Sequence, residues 1–267
     1  MIGSKDQYAL ITGASSGIGY EMAKLFANDG KNIVVVARNK GQLEALKTDI
    51  EKEYGTNVMV LAKDLSYPRV PQEIFSELER KNVSVDALVN NAGFGIYGKF
   101  YETDLQKELE MIQVNITSTL HLTKLFLRKM RENTDGWVLN VASTAAFVPV
   151  PLHSAYAASK SFVLNFSQAL ASEMQGTRVS VTCLCPGPTD TPFWKKGNME
   201  KGKTANVKMM HAAHVADAGY KALKTRKVIV IPGLRYRWWT LLLRIIPESI
   251  ATGLVSRLRN LRRSRKV

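Results

Sequence analysis

A glycine-rich turn lies between an apolar segment and a helical pattern near the start of the chain, and this junction constrains the fold more than any other feature. Residues 8–12, YALIT, are typical of a buried strand. The turn GASSGIG follows at residues 13–19 and leads into a helical pattern. Gly13, Gly17 and Gly19 let the backbone approach a pyrophosphate, which unpaired N–H groups at a helix start can bind. The competing interpretation is a plain glycine turn without a ligand.

Strand and helix patterns then alternate along most of the chain. Predicted strands cover residues 8–12, 32–38, 57–65, 85–90, 137–143, 178–185 and 227–233. After the helix that follows the glycine turn, predicted helices cover residues 41–54, 71–81, 105–130, 154–174 and 215–223. This alternation predicts an α/β fold, a doubly wound parallel sheet of about seven strands with helices on both faces.

The end of the second predicted strand indicates which dinucleotide is preferred. In folds that bind NAD, an acidic residue here bonds the ribose hydroxyls, whereas this chain has Ala37 and Arg38. An arginine can bind a 2′-phosphate with two hydrogen bonds. Arg38 therefore favours NADP(H), with NAD(H) the weaker expectation. The alternative is that Arg38 only begins a solvated helix.

Residues 154–160, SAYAASK, place Tyr156 and Lys160 four residues apart on one face of a predicted helix. A cation one turn away is expected to lower the pKa of the phenol, so that it can exchange a proton near neutral pH. Ser143, at the end of the strand 137–143, can hydrogen-bond a substrate oxygen as negative charge builds there. The competing interpretations are a surface Tyr–Lys pair and a serine that only forms a turn.

Further motifs follow in a fixed order. TGASSGIG occupies residues 12–19, NNAG residues 90–93 and CPGPTDT residues 185–191. The single residues that complete the pattern are Asp64, Leu65, Asn115, Ser143, Tyr156 and Lys160. In this order and spacing they resemble the short-chain dehydrogenase/reductase family of the Tyr-x-x-x-Lys type, from about residue 6 to about residue 231. The chain departs from that pattern at Arg38 and in its C-terminal tail.

The resemblance implies a Rossmann-type fold and hydride transfer between a nicotinamide cofactor, which Arg38 indicates is NADP(H), and a ketone, aldehyde or alcohol. It implies that Tyr156 protonates the oxygen, that Ser143 orients it, and that Lys160 also binds the nicotinamide ribose. Asn115 is expected to hold a water that links Lys160 to solvent. With Arg38 added from the end of the second strand, the expected cofactor-binding residues are Gly13, Ser15, Ser16, Gly17, Ile18, Gly19, Arg38, Asp64, Leu65, Asn91, Ala92, Gly93, Tyr156, Lys160, Pro186, Gly187, Thr189 and Thr191.

Residues 188–214 lack a clean period over much of their length and are expected to form a mobile lid over the substrate. Their apolar residues, which include Phe193, Trp194, Met199, Met209 and Met210, favour a hydrophobic carbonyl such as a lipid or steroid ketone. Ordinary packing of a loop onto the body accounts for them equally well. The lid belongs to a predicted catalytic domain at residues 1–233.

The tail, residues 234–267, is expected to be a basic amphipathic helical extension. From residue 235 onwards it has nine Lys or Arg and one acid, and so carries +8 of the net charge of +14. One interpretation is a helix on an anionic membrane surface, and the other is packing on the body or a second subunit. Because the charge is local and no nucleic-acid motif accompanies it, we expect no nucleic-acid partner.

The remaining composition sets limits on chemistry and location. We expect no metal site, and we assign no role to three histidines that lack metal-ligand spacing with Cys or acids, His153, His211 and His214. We expect Cys183 and Cys185 to lie on opposite faces of a strand, unbridged, in a reducing compartment. No signal-peptide core and no apolar run of about 18–20 residues occur, which favours a cytoplasmic protein, with peripheral membrane contact left open. By family habit, a homodimer or homotetramer would form through the helices 105–130 and 154–174.

Two other functional classes stay open on the sequence alone. One is a catalytically idle module that binds a dinucleotide within an assembly. The other is a membrane-associated interaction protein whose enzymatic activity is incidental. The presence of Asn115, Ser143, Tyr156 and Lys160 together argues against the idle module.

Overall fold

The computed structural model describes residues 7–133, 135–195, 209–245 and 253. Its main sheet has seven parallel strands in the order β3-β2-β1-β4-β5-β6-β9. The strands are β1 (Gln7–Thr12), β2 (Asn32–Ala37), β3 (Val58–Ala62), β4 (Ser84–Asn90), β5 (Gly136–Val141), β6 (Val179–Leu184), β7 (Thr189–Asp190), β8 (Met210–His211) and β9 (Ile229–Val230). Among the described residues, the short strands β7 and β8 pair with each other and not with the main sheet. The predicted parallel sheet is therefore confirmed.

Helices connect the strands and cover both faces of the sheet. They are α1 (Gly17–Asn28), α2 (Lys40–Tyr54), α3 (Val70–Arg80), α4 (Leu105–Ile112), α5 (Ser118–Glu132), α6 (Ser154–Glu173), α7 (Ala212–Lys224) and α8 (Leu234–Ile245). One apolar cluster buries Phe26 of α1, Leu43 of α2 and Leu223 of α7. A second, on the opposite face, buries Ile74 of α3 and Phe126 of α5. Each such side chain contributes about 1.5–3 kcal/mol by leaving water.

The strand order places the site. Strand β1 lies between β2 and β4, so the connections leave β1 on one side and return on the other. Such a reversal opens a crevice at the carboxyl ends of the strands, where doubly wound sheets bind ligands. Thr12 ends β1 and Asn90 ends β4 at this edge. The glycine turn and the NNAG motif therefore meet there.

The helix predicted over residues 105–130 is interrupted. A π-helical turn over Gln113–Thr117 separates α4 from α5. Such turns occur mostly inside α-helices at functional sites, because the extra residue shifts the direction of nearby side chains. Asn115 lies in this turn and is 1% exposed. Hydrophobic periodicity indicates which face of a whole helix is buried, so it could not predict the position of one inserted residue.

The expectation for the two cysteines was wrong in its geometry. Residues two apart along a strand point to the same face, and the Sγ atoms of Cys183 and Cys185 lie 3.7 Å apart. Both are buried thiols that form no disulfide with each other, and they pack against Val163 and Leu164 of α6. The absence of a bridge was expected; the opposite faces were not a valid reason for it.

The lid and the tail are described in part. Strands β7 and β8 lie near the two ends of the predicted lid and pair through Thr189–Met210 and Asp190–His211. Residues 196–208, with Gly197, Met199 and Gly202, lie outside the described part of the chain. So do Pro247 and the predicted basic helix over residues 254–261.

Candidate active site

The glycine turn at the start of α1 packs against the NNAG motif at the end of β4. Gly13 has φ +66° and Gly17 has φ +61°, a backbone region that favours glycine. A Cβ on Gly13 would lie 2.8 Å from Nδ2 of Asn91, and one on Gly17 would lie 2.7 Å from Cγ2 of Thr191. Side chains here would fill the space beside the start of α1. The turn therefore presents backbone to the crevice.

Asn91 holds the turn in this shape. Its Nδ2 donates hydrogen bonds to the carbonyl oxygens of Thr12, at 2.9 Å, and Gly13, at 3.1 Å. The Thr12 hydroxyl accepts from the backbone N–H of Asn91 and of Ala92, both at 3.0 Å. The predicted NNAG motif thus supports the cradle from behind. Gly19 is part of the same packing, since its Cβ would lie 2.5 Å from Nδ2 of Asn91.

Arg38 and Asp64 lie together at the outer rim of the crevice. Nη1 of Arg38 is 3.6 Å from Oδ2 of Asp64, and the Arg38 side chain is 60% exposed. The other Asp64 oxygen accepts from the backbone N–H of Ser66 at 3.0 Å. Sequence spacing did not predict this ion pair. It holds the guanidinium beside the crevice, where Lys63 and Asn39 also contribute to the wall.

Tyr156 and Lys160 lie one turn apart in α6, and Ser143 follows β5 on the facing side. The ammonium of Lys160 is 5.9 Å from the centre of the Tyr156 ring. Ser143 hydrogen-bonds the Tyr156 phenol, and its Oγ also accepts from the backbone N–H of Ala145 at 3.1 Å. The ring of Phe193 lies 5.8 Å from the Tyr156 ring. These groups converge on one wall of the crevice.

The pKa of Tyr156 was expected to be low, but its surroundings raise it. Burial raises the pKa of Tyr156 to about 12, and the hydrogen bond with Ser143 opposes this only in part. Burial also lowers the pKa of Lys160 to about 8. The reason is that both charged forms lose hydration in the crevice wall. Sequence spacing identified the nearby cation but could not show how much burial opposes it.

Lys160 and Asn115 are both buried close to Gly93. Lys160 is buried and donates to the carbonyl oxygen of Val141 at 2.9 Å. The Asn115 amide donates to Ser159 Oγ and to the Phe94 carbonyl oxygen, both at 3.0 Å. Both of its N–H groups are therefore used to hold α6 and the segment after the NNAG motif. A water held by Asn115 would therefore have to donate a hydrogen bond to the side-chain or backbone oxygen of Asn115.

One cavity of about 1490 Å³ unites these groups. Single ligand pockets usually measure about 300–1,000 Å³, so this cavity has room for a dinucleotide and a second molecule. Of the predicted site residues, Gly19 and Asn115 lie behind its wall. The others line it: Gly13, Ser15, Ser16, Gly17, Ile18, Arg38, Asp64, Leu65, Asn91, Ala92, Gly93, Ser143, Tyr156, Lys160, Pro186, Gly187, Thr189 and Thr191.

Several wall residues were not predicted. Helix α8 contributes Tyr236, Trp238 and Trp239, although the sequence placed residues 234–267 in a separate extension. His153, to which we assigned no role, also lines the cavity, with its ring 6.3 Å from that of Tyr156. Of the predicted lid residues, Phe193, Trp194 and Met209 do line it. Aromatic residues after the last strand were a signal for α8, but only the fold shows where they pack.

The described residues fit a nicotinamide dinucleotide. Glycines stand where a Cβ would occupy the cradle, and the start of α1 offers N–H groups for phosphates. The Arg38 guanidinium, which is mostly exposed and 3.6 Å from Asp64, suits a further phosphate. The half-buried Tyr156 and buried Lys160 lie farther along the same cavity. The N–H donors for phosphates, the guanidinium and the Tyr–Lys pair thus lie along one cavity, as binding of a nicotinamide dinucleotide requires.

Comparison with known proteins decides the family. The sequence pattern described as short chain dehydrogenase matches residues 7–202. The chain belongs to this family. Within the described residues, no helix combines the length and the apolar character needed to cross a membrane.

The relatives of this short-chain dehydrogenase are named for different substrates. It is 33% identical over 205 residues to mouse 17-beta-hydroxysteroid dehydrogenase type 3, covering 76% of this chain and 67% of the relative. It is 34% identical over 186 residues to a very-long-chain 3-oxoacyl-CoA reductase of Pyrenophora tritici-repentis, covering 68% of this chain and 54% of the relative. The chain thus spans about half the length of that reductase.

A solved structure agrees with these relatives. A short-chain dehydrogenase from Sphingobium yanoikuyae in complex with NADPH is 30% identical, with a TM-score of 0.81 over 94% of this chain and 95% of that one. The chain is therefore an NAD(P)-dependent oxidoreductase of the carbonyl–alcohol type.

Proposed function

We propose that this short-chain dehydrogenase interconverts a hydrophobic ketone or aldehyde and its alcohol, with NADP(H) as cofactor and Tyr156 as general acid and base. The observation that carries the proposal is one cavity in which Tyr156, Ser143 and Lys160 face the same space as the glycine cradle and Arg38. Bound NADP(H) supplies the hydride in reduction and accepts it in oxidation. The chain's own residues bind the reactants and handle the proton.

Tyr156 is the proton donor in the direction of reduction. With its pKa raised to about 12 it retains its proton at neutral pH, as an acid requires. Ser143 orients the reacting oxygen by hydrogen bonding and stabilises the charge that builds there. Lys160 lies close enough to stabilise the phenolate that forms when Tyr156 gives up its proton. Asn115 positions α6 through Ser159.

Arg38 supports the preference for NADP(H). Its side chain is mostly exposed on the cavity rim, and Asp64 at 3.6 Å is too distant for a short, strong ion pair. A 2′-phosphate can therefore compete for the guanidinium. Lys63 on the same rim adds positive charge, although Glu73 pairs with it at 3.0 Å.

The substrate end of the cavity supports a hydrophobic substrate. Its walls include Phe193, Trp194, Met209, Trp238 and Trp239. Large apolar side chains bind apolar surface by removing it from water. The relatives named for steroid and long acyl substrates point in the same direction.

We also propose a homodimer or homotetramer that uses α4 and α5. Leu105, Leu109, Ile112 and Leu120 on these helices are large apolar residues exposed to solvent, and contiguous exposed apolar surface marks association sites. Helix α6, the other predicted contact, has no large hydrophobic residue among the most exposed ones. Light scattering of Leu105→Glu/Leu109→Glu should show a smaller particle than wild type. An unchanged particle would move the interface elsewhere.

A substrate screen tests the central proposal. Ketones, aldehydes and alcohols of increasing apolar size are offered with NADP(H) and with NAD(H), and cofactor absorbance is followed. We expect turnover of bulky apolar carbonyls with NADPH and weaker turnover with NADH. Tight cofactor binding without turnover of any compound would instead identify a catalytically idle module.

A further inference from the structure

Helix α8 has an inner face that is fixed to the body of the protein. Tyr236 packs over Gly187, where a Cβ would lie 2.8 Å from the ring. Leu243 is buried against Val148 and Val150, and Trp239 packs on the same cluster. These contacts hold the helix beside the cavity, so that its orientation is defined by packing.

The outer face of α8 is apolar and has no partner among the described residues. Leu234, Trp238, Leu241 and Leu242 are 75%, 71%, 45% and 48% exposed. They occupy positions one, five, eight and nine of the helix, which form one stripe. Continuous exposed apolar surface of this kind marks an interaction site.

This outer stripe is continuous with the mouth of the cavity. Trp238 and Leu242 are exposed and also line the cavity. Pro192, exposed on the segment before β8, lines it as well. An apolar molecule that touches the stripe therefore reaches the interior without crossing a polar rim at these positions.

The charge around the stripe identifies its partner. Arg235 and Arg237 are exposed beside it, and residues 234–245 contain no acid. Five further arginines and a lysine occur in the sequence between residues 257 and 266. A tryptophan and leucines flanked by arginines suit the headgroup region of an anionic bilayer. A second copy of the chain fits less well, because it would bring a like charge against these arginines.

We propose that α8 lies on an anionic lipid bilayer and forms a portal through which apolar ketones or alcohols pass from the bilayer into the cavity. The proposal rests on the proposed carbonyl–alcohol activity. The apolar stripe contacts the acyl region, Arg235 and Arg237 contact lipid phosphates, and Trp238 and Leu242 connect the bilayer with the substrate end of the cavity.

Vesicle binding tests the contact. Full-length protein is sedimented with phosphatidylcholine vesicles that contain or lack phosphatidylserine. We expect binding to the anionic vesicles that weakens with salt, and at least about a tenfold loss in Leu234→Glu/Leu241→Glu. The matched control Tyr67→Glu/Tyr101→Glu changes two exposed aromatic residues on other surfaces and should bind as wild type does. No binding by wild type, or equal binding by the α8 variant, overturns the proposal.

The portal itself is tested with two substrates that share a reacting ketone. One dissolves in water and the other partitions into the vesicles. Neither Leu234 nor Leu241 lines the cavity, so Leu234→Glu/Leu241→Glu should turn over the water-soluble ketone as wild type does. With the vesicle-dissolved ketone its apparent KM should rise at least about tenfold at unchanged kcat. Equal effects on both substrates would mean that α8 is not a portal.

Two controls distinguish the portal from a loss of catalysis and from a subunit interface. Tyr156→Phe should lose turnover and keep wild-type vesicle binding, so failure of the proposed chemistry is distinguishable from failure of the contact. Vesicles with brominated acyl chains should quench wild-type tryptophan fluorescence more than that of Trp238→Phe, a variant that introduces no charge. Equal quenching contradicts the portal. A smaller particle in Leu234→Glu/Leu241→Glu, with vesicle binding unchanged, would assign the stripe to a subunit interface and overturn the proposal.

Discussion

At the glycine end of the cavity, formed by residues 13–19 and 91–93, the wall is mostly backbone. At the aromatic end, formed by Phe193, Trp194, Tyr236, Trp238 and Trp239, it is mostly large side chains. The glycine end is closely packed, since added Cβ atoms on Gly13, Gly17, Gly19 and Gly93 would lie under 3.0 Å from neighbours. The aromatic end is partly open to solvent.

This difference separates two tasks. Backbone atoms held by partly buried hydrogen bonds suit a constant ligand, because few substitutions leave their shape intact. Side chains on a short segment and a surface helix can change with little effect on the sheet, and so suit a ligand that varies among relatives. Tyr156 lies where the two ends meet. We therefore expect substitutions at the two ends to have different signatures.

The largest effect is expected where the ends meet. Tyr156→Phe removes the phenol oxygen and keeps the ring, so turnover should fall about a hundredfold to ten-thousandfold. NADPH affinity should be retained, because the cradle is unchanged. Steady-state kinetics and fluorescence titration with NADPH measure the two quantities. Wild-type turnover in this variant would remove Tyr156 from the chemistry.

Gly19→Ala should damage the glycine end. Its Cβ would lie 2.5 Å from Nδ2 of Asn91 and 2.5 Å from the Gly13 carbonyl oxygen, so the cradle must shift. We expect NADPH affinity to fall by at least about tenfold, together with a lower melting temperature. Gly41→Ala is the matched control, because its Cβ would meet only Asn39 Oδ1 at 3.6 Å in α2. That change should stabilise the protein by up to about 1 kcal/mol. Equal affinities in both variants would show that the cradle tolerates movement.

Arg38→Asp tests the cofactor assignment at the rim of the glycine end. Loss of a charged hydrogen bond to the 2′-phosphate is worth about 1.5–3 kcal/mol, so NADPH affinity should fall roughly tenfold to a hundredfold. NADH affinity should change much less. Lys40→Asp makes the same change in charge sign outside the cavity wall and should affect the two cofactors alike. Titrations with both cofactors decide, and an unchanged ratio in Arg38→Asp would contradict the assignment.

A pH dependence should follow from Lys160. Burial lowers the pKa of Lys160 to about 8, so its positive charge is present below that pH and is lost as pH rises through it. Because the charge stabilises the Tyr156 phenolate, kcat/KM for the ketone with NADPH should fall above about pH 8, by up to about tenfold per pH unit. Lys160→Arg retains its charge at these pH values and should move the fall upwards. The same fall in that variant would point to another group.

The smallest effect is expected at the aromatic end. Trp239→Leu enlarges the substrate side of the cavity, so KM for a bulky apolar ketone should change several-fold, with NADPH affinity unchanged. Trp137→Leu is the control: it also removes a partly buried tryptophan, but from the core beneath the sheet. An equal change in KM in both variants would mean that general loosening causes the effect. A change in NADPH affinity in Trp239→Leu would erase the contrast between the ends.

Features that depend on neighbours along the chain could be predicted from the amino-acid sequence. Apolar runs and turns indicate the strands and most helices, and the spacing of Tyr156 and Lys160 places them on one helical face. The glycine turn is visible because its positive φ angles favour glycine. These features follow from local period and backbone sterics, so a single sequence carries them.

Features that depend on residues distant in sequence required the folded chain. Burial by several elements sets the pKa of Tyr156, and the meeting of β2 and β3 places Asp64 beside Arg38. Packing of α8 on Gly187 brings this helix into the cavity wall, and one inserted residue turns Asn115 towards Ser159. Desolvation and long-range packing act through space, between residues that neither hydrophobic period nor motif spacing connects.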